Sequence, residues 1–278
     1  MPGTGIVLFY TPQGFVIGAD GLEKTTGGVI TSTTTQKLFP LNKALAFAMS
    51  GFRSVCSAQG DKKLDFQSLV RITFVEKLRS QGQDFFAFAE AAADSINQQL
   101  AKLKAQGRFA TYHDEDGAGT ISKVFLAGYY AGLAKATLIT FSHSNQALRD
   151  PQIRRGEIEP GFYAYVGPER VWNQLKLQGD PLFLAYRDAV FDRLLSEFGP
   201  NPAEAQTMIT RFLQACTDPA VQAKYPECRS IGGRIHVATI TSKRGFQWVL
   251  RPVCIATIVA QAIRRHAKRI VYRLGRLR

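Results

Sequence analysis

Cysteine is scarce in this chain of 278 residues, and the few cysteines form no recognisable pattern. They are Cys56, Cys216, Cys228 and Cys254. Because no two of them have C-x-x-C spacing, neither a zinc site nor a framework of disulfides is indicated. The simplest interpretation is free thiols in a reducing compartment.

Long apolar runs, internal repeats and low-complexity tracts are also missing. A membrane-spanning helix needs about 18 or more consecutive apolar residues, and no segment reaches that length. The chain begins Met1-Pro2-Gly3-Thr4, without the basic start and apolar stretch of a secretory leader. We therefore expect a soluble, cytoplasmic protein.

Acidic residues are absent from the last part of the chain, and this absence explains much of the net charge. Of the net charge of +13, seven positive charges fall in residues 253–278, which leaves six for residues 1–252. The main body is too mildly basic to indicate a nucleic-acid partner. Its length and apolar content predict one domain over residues 1–252, followed by a basic C-terminal extension over residues 253–278.

The extension is apolar over residues 253–263 and basic over residues 264–278, where apolar residues are interleaved with the charges. This pattern fits a basic amphipathic helix, which would contact an anionic surface such as a membrane or nucleic acid. Two alternatives stay open: the extension docks on a partner subunit, or it is a poorly ordered end. No base-reading motif accompanies the charge, so specific nucleic-acid recognition is not expected.

The first fifty residues predict paired strands. Residues 5–10 and 15–19 are rich in β-branched and aromatic types, and the Pro-Gln-Gly turn between them predicts a hairpin. Further strands are expected over the threonine-rich residues 29–39 and over residues 44–49.

Helices and strands then follow in separate runs rather than in alternation. We expect helices over residues 64–79 and 84–105, strands over 123–130, 135–142 and 162–166, helices over 171–177, 182–197 and 203–215, and a hairpin over 234–241 and 246–250. Segregated runs favour an α+β fold. Two helix pairs on two antiparallel sheets predict a four-layer αββα sandwich.

Three residues near the ends of the first strands have complementary chemistry. A threonine hydroxyl such as that of Thr4 is a poor nucleophile unless a base lies beside it, and a free α-amino group on the same residue is such a base. The ammonium of Lys37 would lower the pKa of that amine, and the carboxylate of Asp20 would hold the lysine in place. The predicted strand ends can bring the three together.

These residues lie within segments that resemble the proteasome β-type and related bacterial threonine peptidases, which are N-terminal-nucleophile (Ntn) hydrolases. The resemblance covers residues 4–51 and returns at residues 232–248. The matching segments are Thr4-Gly5-Ile6-Val7, Gly14 through Asp20, Lys37, Ala48-Met49-Ser50-Gly51 and Gly232-Gly233-Arg234-Ile235.

The resemblance implies a function and a site. Thr4 would be the nucleophile once residues 1–3 are removed, Asp20 and Lys37 its charged partners, and the backbone N–H of Gly51 the oxyanion donor. Thr25 would contact the substrate backbone. The family cleaves peptide or amide bonds without a metal or other cofactor and usually assembles, so a homo-oligomer is implied.

Some positions depart from the family pattern. Gly167-Pro168-Glu169 and Cys228-Arg229-Ser230-Ile231 stand where the family commonly keeps hydroxyl and carboxylate groups near the nucleophile. A second hypothesis is therefore a catalytically inactive Ntn-fold protein that acts in assembly or binding. In a third hypothesis, the extension carries the function by associating with a membrane or with nucleic acid.

Other polar residues are better explained structurally. Residues 113–116, His-Asp-Glu-Asp, are more typical of a solvated loop than of a metal site. His143 and His236 lie in or near predicted strands without partner spacing. The pair Gly232-Gly233 lacks a G-x-G-x-x-G pattern, so it indicates close backbone packing rather than phosphate binding.

Overall fold

A computed structural model describes residues 4–24, 28–51, 54–56, 63–80, 84–106, 118–144, 147–177, 180–187, 189–195 and 199–251. The strands are β1 (Ile6–Thr11), β2 (Gly14–Ala19), β3 (Glu23–Lys24), β4 (Ile30–Ser32), β5 (Leu38–Pro40), β6 (Leu45–Gly51), β7 (Ser54–Cys56), β8 (Lys63–Asp65), β9 (Ala118–Tyr130), β10 (Leu133–Ser144), β11 (Ala147–Leu148), β12 (Gln152–Arg154), β13 (Tyr163–Val166), β14 (His236–Thr241) and β15 (Gly245–Leu250).

The helices lie in two groups, each between runs of strands. They are α1 (Phe66–Ser80), α2 (Phe85–Ala105), α3 (Glu169–Leu177), α4 (Pro202–Thr217) and α5 (Pro219–Lys224). Short 3₁₀ helices occur at Pro181–Phe183, Ala189–Leu195 and Pro226–Ser230. The protein is thus of the α+β class.

Two antiparallel sheets form the centre of the fold. Sheet I has the strand order β13-β1-β2-β14-β15, and sheet II has the order β11-β10-β9-β6-β5, with β12 also paired to β10. Two small two-stranded sheets, β3-β4 and β7-β8, accompany them. Strands β1 and β2 pair from Ile6 opposite Ala19 to Thr11 opposite Gly14, which confirms the predicted first hairpin.

Strand β1 is apolar on both faces because both faces are covered. Val7 and Phe9 pack with the helices beside sheet I, whereas Ile6 and Leu8 pack toward sheet II. Side chains alternate between the faces of a strand, so consecutive apolar residues serve two different cores.

Three apolar clusters hold the elements together. One joins sheet II to α1 and α2, another joins sheet I to α3 and α4, and a third lies between the two sheets. Representative residues are Phe47, Phe74 and Phe88 in the first, Phe9, Trp172 and Phe212 in the second, and Leu8, Ile17 and Phe125 in the third. A fully buried side chain of this size contributes roughly 1.5–3 kcal/mol.

The longest helices begin where local chemistry predicts. The carboxylate of Asp84 accepts hydrogen bonds from the backbone N–H groups of Phe86 and Ala87 and so caps α2. At α4, Asn201 and Glu204 form a capping box and Pro202 occupies the first turn.

Two predicted elements were wrong. Residues 29–39 do not form one strand, because the backbone N–H of Thr35 donates to Gly21 O and Thr33 O accepts from Arg234, which separates β4 from β5. The described residues between 182 and 195 lie in short 3₁₀ helices and turns instead of one α-helix. Phe183 packs on Tyr225 there, and Phe191 packs on Trp172.

Candidate active site

The candidate site lies where the ends of sheets I and II meet. Thr4 lies two residues before the start of β1 and Asp20 immediately follows β2, so the antiparallel pairing of these strands places both residues at one end of sheet I. Lys37 immediately precedes β5 at the edge of sheet II. Thr4 and Asp20 therefore belong to the end of sheet I, and Lys37 belongs to the edge of sheet II.

The Lys37 ammonium bridges the other two side chains. Its Nζ donates to Thr4 Oγ1 at 3.1 Å and to Asp20 Oδ1 at 3.0 Å. Thr4 is 5% exposed, Asp20 1% and Lys37 8%. Because water is largely excluded, the ion pair acts on the hydroxyl through a medium of low dielectric constant.

Asp20 is held by backbone donors as well as by the lysine. Its Oδ1 accepts from Gly5 N at 2.9 Å, and its Oδ2 accepts from Leu22 N and Gly232 N, each at 3.1 Å. Burial raises the pKa of the Asp20 carboxyl, and Lys37 together with the Gly232 and Gly5 N–H groups opposes that rise. All four partners are donors, so the arrangement suits the ionised carboxylate.

Glycines allow three backbone segments to meet beside this carboxylate. Gly21 N donates to Gly232 O at 3.0 Å, and Arg234 N donates to Thr33 O at 2.7 Å. A Cβ on Gly233, which has φ +69°, would lie 2.3 Å from Thr33 O. The close backbone packing predicted for the Gly232-Gly233 pair is therefore present.

Gly51 ends β6 on the same side of the fold. Met49 N, two residues earlier, donates to Lys37 O at 2.9 Å, which ties this strand end to the lysine. Gly51 has φ +95°, and an added Cβ would lie 2.4 Å from Ile121 O. Direct contacts thus join Thr4, Asp20 and Lys37. Gly51 lies at the end of the strand that pairs with β5. Thr25, predicted to contact substrate, lies outside the described residues.

Ser230 and Glu169 are the polar side chains in the two segments that depart from the family pattern. Ser230 Oγ donates to Glu227 O at 3.0 Å. Glu169 is exposed at the start of α3. Burial raises the pKa of Tyr165, and the negative charge of Glu169 acts in the same direction. Ser230 therefore has a hydrogen-bond partner other than Thr4.

His236 is a polar neighbour of the site whose proximity to Lys37 the sequence analysis missed. It pairs with Ala19 across β14 and β2, is fully buried, and has no hydrogen-bond partner on either ring nitrogen among the described residues. Burial lowers its pKa to about 4, and the positive charges of Lys37 and Arg234 act in the same direction. The imidazole is therefore neutral at physiological pH.

Across the part of the chain that the structure describes, no group of three or more His, Cys, Asp or Glu side chains could hold a metal ion. None of the described helices is both long and apolar enough to cross a membrane. The polar loop at residues 113–116 and the basic extension at residues 253–278 lie outside the described residues.

Comparison with known proteins returned no match to any family model or to any curated protein.

Proposed function

We propose that this chain is an Ntn threonine hydrolase of the proteasome β type, which cleaves peptide or amide bonds after residues 1–3 are removed. The observation that carries the proposal is the position of Lys37 Nζ, within hydrogen-bond distance of both Thr4 Oγ1 and Asp20 Oδ1. A buried ammonium beside a hydroxyl stabilises the alkoxide that forms as the hydroxyl attacks.

The chemistry follows from these positions. Once Thr4 is the first residue, its α-amine accepts the hydroxyl proton, and Oγ1 attacks the carbonyl carbon of the substrate. Lys37 holds the α-amine pKa down through its charge, and Asp20 holds Lys37. The proposal assigns the N–H of Gly51 as the donor to the oxyanion. The positive φ of +95° at this position favours glycine.

The proposal includes the four-layer αββα sandwich of the Ntn hydrolases. Its support is the set of three apolar clusters, one between the sheets and one between each sheet and its helices. Gly18 of β2 supports the packing of α4 on sheet I, because a Cβ there would lie 2.2 Å from Ile209 Cγ2.

The test combines the mass of the full-length chain after purification with turnover of a mixture of fluorogenic peptide amides. We expect a mass lacking residues 1–3 and measurable turnover. Thr4→Ala should retain residues 1–3 and abolish turnover, whereas Thr4→Ser should keep part of both processing and turnover. Thr210→Ala is the matched control, because Thr210 lies on α4 and its hydroxyl donates to Gln206 O.

A second candidate is an inactive Ntn-fold protein used in assembly or binding. The hydrogen bond of Ser230 Oγ to Glu227 O, a partner other than Thr4, favours it. It would be supported by a folded chain that keeps residues 1–3 and shows the same absence of turnover before and after Thr4→Ala. Turnover that depends on Thr4 would exclude it.

A further inference from the structure

An acidic side chain lies beside the candidate site without belonging to its ion pair. Glu23 is half-buried in the short strand β3, three residues after Asp20. Its Oε2 accepts a hydrogen bond from Thr35 Oγ1 at 2.7 Å. Thr35 is buried and lies two residues before Lys37. The contact between Glu23 and Thr35 therefore joins the two chain segments that also supply Asp20 and Lys37.

Backbone hydrogen bonds hold the segment of Glu23 against the site. Leu22 N, just before Glu23, donates to Asp20 Oδ2 at 3.1 Å. Thr35 N donates to Gly21 O at 2.9 Å. The chain from Asp20 to Glu23 thus runs beside the chain that leads to Lys37, and the position of Glu23 does not depend on its side chain alone.

Chain geometry gives the separation between the Glu23 carboxylate and the Thr4 hydroxyl. Thr35 and Lys37 are buried, whereas Gln36 between them is half-buried, as expected when the two buried side chains share one side of an extended segment. Residues two apart on such a segment are separated by roughly 6.6 Å. Lys37 Nζ lies 3.1 Å from Thr4 Oγ1. The Glu23 carboxylate therefore lies on the order of 10 Å from the Thr4 hydroxyl.

We propose that Glu23 is a specificity-determining residue, which selects peptides with lysine or arginine as the residue that supplies the attacked carbonyl. The inference rests on the proposed hydrolase and adds its substrate class. A lysine side chain spans roughly 6 Å from Cα to ammonium, and an ion pair adds about 3 Å. A basic side chain therefore reaches Glu23 while the carbonyl lies at Thr4.

The charges around Glu23 fit this assignment. The Asp20 carboxylate is already paired with the Lys37 ammonium at 3.0 Å. Glu23 accepts from a neutral hydroxyl, which orients a carboxylate without cancelling its charge. The next residue of β3, Lys24, donates from Nζ to Arg229 O at 2.5 Å, so the two charged side chains of this strand contact different segments. Because Glu23 is half-buried, a charge-assisted contact there is screened less than one on an exposed surface.

The experiment uses the full-length chain and three fluorogenic peptide amides that differ only in the residue before the cleaved bond. This residue is lysine, glutamine or glutamate, and kcat/KM is measured for each peptide. We expect kcat/KM of the lysine peptide to exceed that of the glutamine peptide about tenfold or more, because a charge-assisted hydrogen bond is gained. The ratio is taken within one preparation, so a misfolded fraction of the chain does not change it.

Variants of the acidic residue and of its partner assign the preference. Glu23→Gln should bring the lysine-to-glutamine ratio close to one, because the amide oxygen still accepts from Thr35 but carries no charge. Glu23→Lys should favour the glutamate peptide. Thr35→Val removes the orienting hydroxyl and should lower the ratio part of the way.

Glu157→Gln is the matched control. Glu157 is exposed on the loop after β12, and that loop leads to Gly161, whose N–H donates to Tyr10 O near the end of β1 remote from Thr4. The same chemical change at this position should leave the ratio at its wild-type value.

The outcomes separate this inference from the proposed hydrolase. Turnover that depends on Thr4 but is equal for the three peptides would overturn the inference alone. A lysine preference that survives both Glu23→Gln and Glu23→Lys would do the same. An unchanged ratio in Thr35→Val would overturn the orienting role of that hydroxyl. Absence of Thr4-dependent turnover for every peptide would overturn the hydrolase and, with it, this inference.

Discussion

The buried pair of Asp20 and Lys37 gives the sharpest test of the site as a physical unit. Replacing Asp20 by Asn leaves the Lys37 ammonium buried without its counter-charge. It also places an amide NH₂ among groups that are all donors. Removal of one partner from a buried ion pair costs about 3–5 kcal/mol. We expect the free energy of unfolding to fall by that amount.

Lys37→Met should cost less than Asp20→Asn. The Asp20 carboxylate keeps three backbone donors after this change, and the methionine side chain fills similar space. The double variant leaves no unpaired ammonium, so its loss should be smaller than the sum of the single losses by about 1–3 kcal/mol. This non-additivity is the coupling between the two groups.

The assay is urea unfolding of the full-length chain, followed by circular dichroism, for the wild type, both single variants and the double variant. Asp192→Asn is the control, because the Asp192 side chain is exposed and its replacement should change stability much less than Asp20→Asn does. Strict additivity, or a loss below about 1 kcal/mol for Asp20→Asn, would refute the interpretation of a desolvated pair.

Two further predictions concern His236 and Gly51. The folded pKa of His236, about 4, is below its ordinary value of 6.5, so stability present above pH 6.5 should fall by up to about 3 kcal/mol as the pH drops toward 4. His236→Phe should remove this part of the pH dependence of the urea midpoint; an unchanged profile contradicts it. Gly51→Ala should destabilise more than Gly132→Ala, because both have positive φ but only Gly51 meets a carbonyl oxygen at 2.4 Å. Equal losses in urea would contradict this.

Several elements could be predicted because their signals are local. The turn residues between β1 and β2, and the capping residues Asp84 and Asn201, act within a few positions of themselves. The α+β class followed from runs of such elements. Strands β9 and β10 were predicted too short, because their ends are stabilised by pairing with each other rather than by their own residue types.

The candidate site could be predicted only as a set of residue types at suggestive spacing. Thr4, Asp20 and Lys37 were named from the sequence, and their distances come from the tertiary structure. Neither the contact of Gly232 with Asp20 nor the burial of His236 had a sequence signal, since each depends on residues more than 200 positions apart.

The sequence alone determined the short-range features: the first hairpin, the capped helices, the α+β class and the presence of a threonine, an aspartate and a lysine near strand ends. Tertiary structure decided which groups meet. It broke residues 29–39 into two strands through Gly21 and Arg234, and it brought the backbone N–H of Gly232 to the carboxylate of Asp20. The physical reason is that local conformation depends on neighbouring residues, whereas burial and hydrogen-bond partners depend on distant segments packing together.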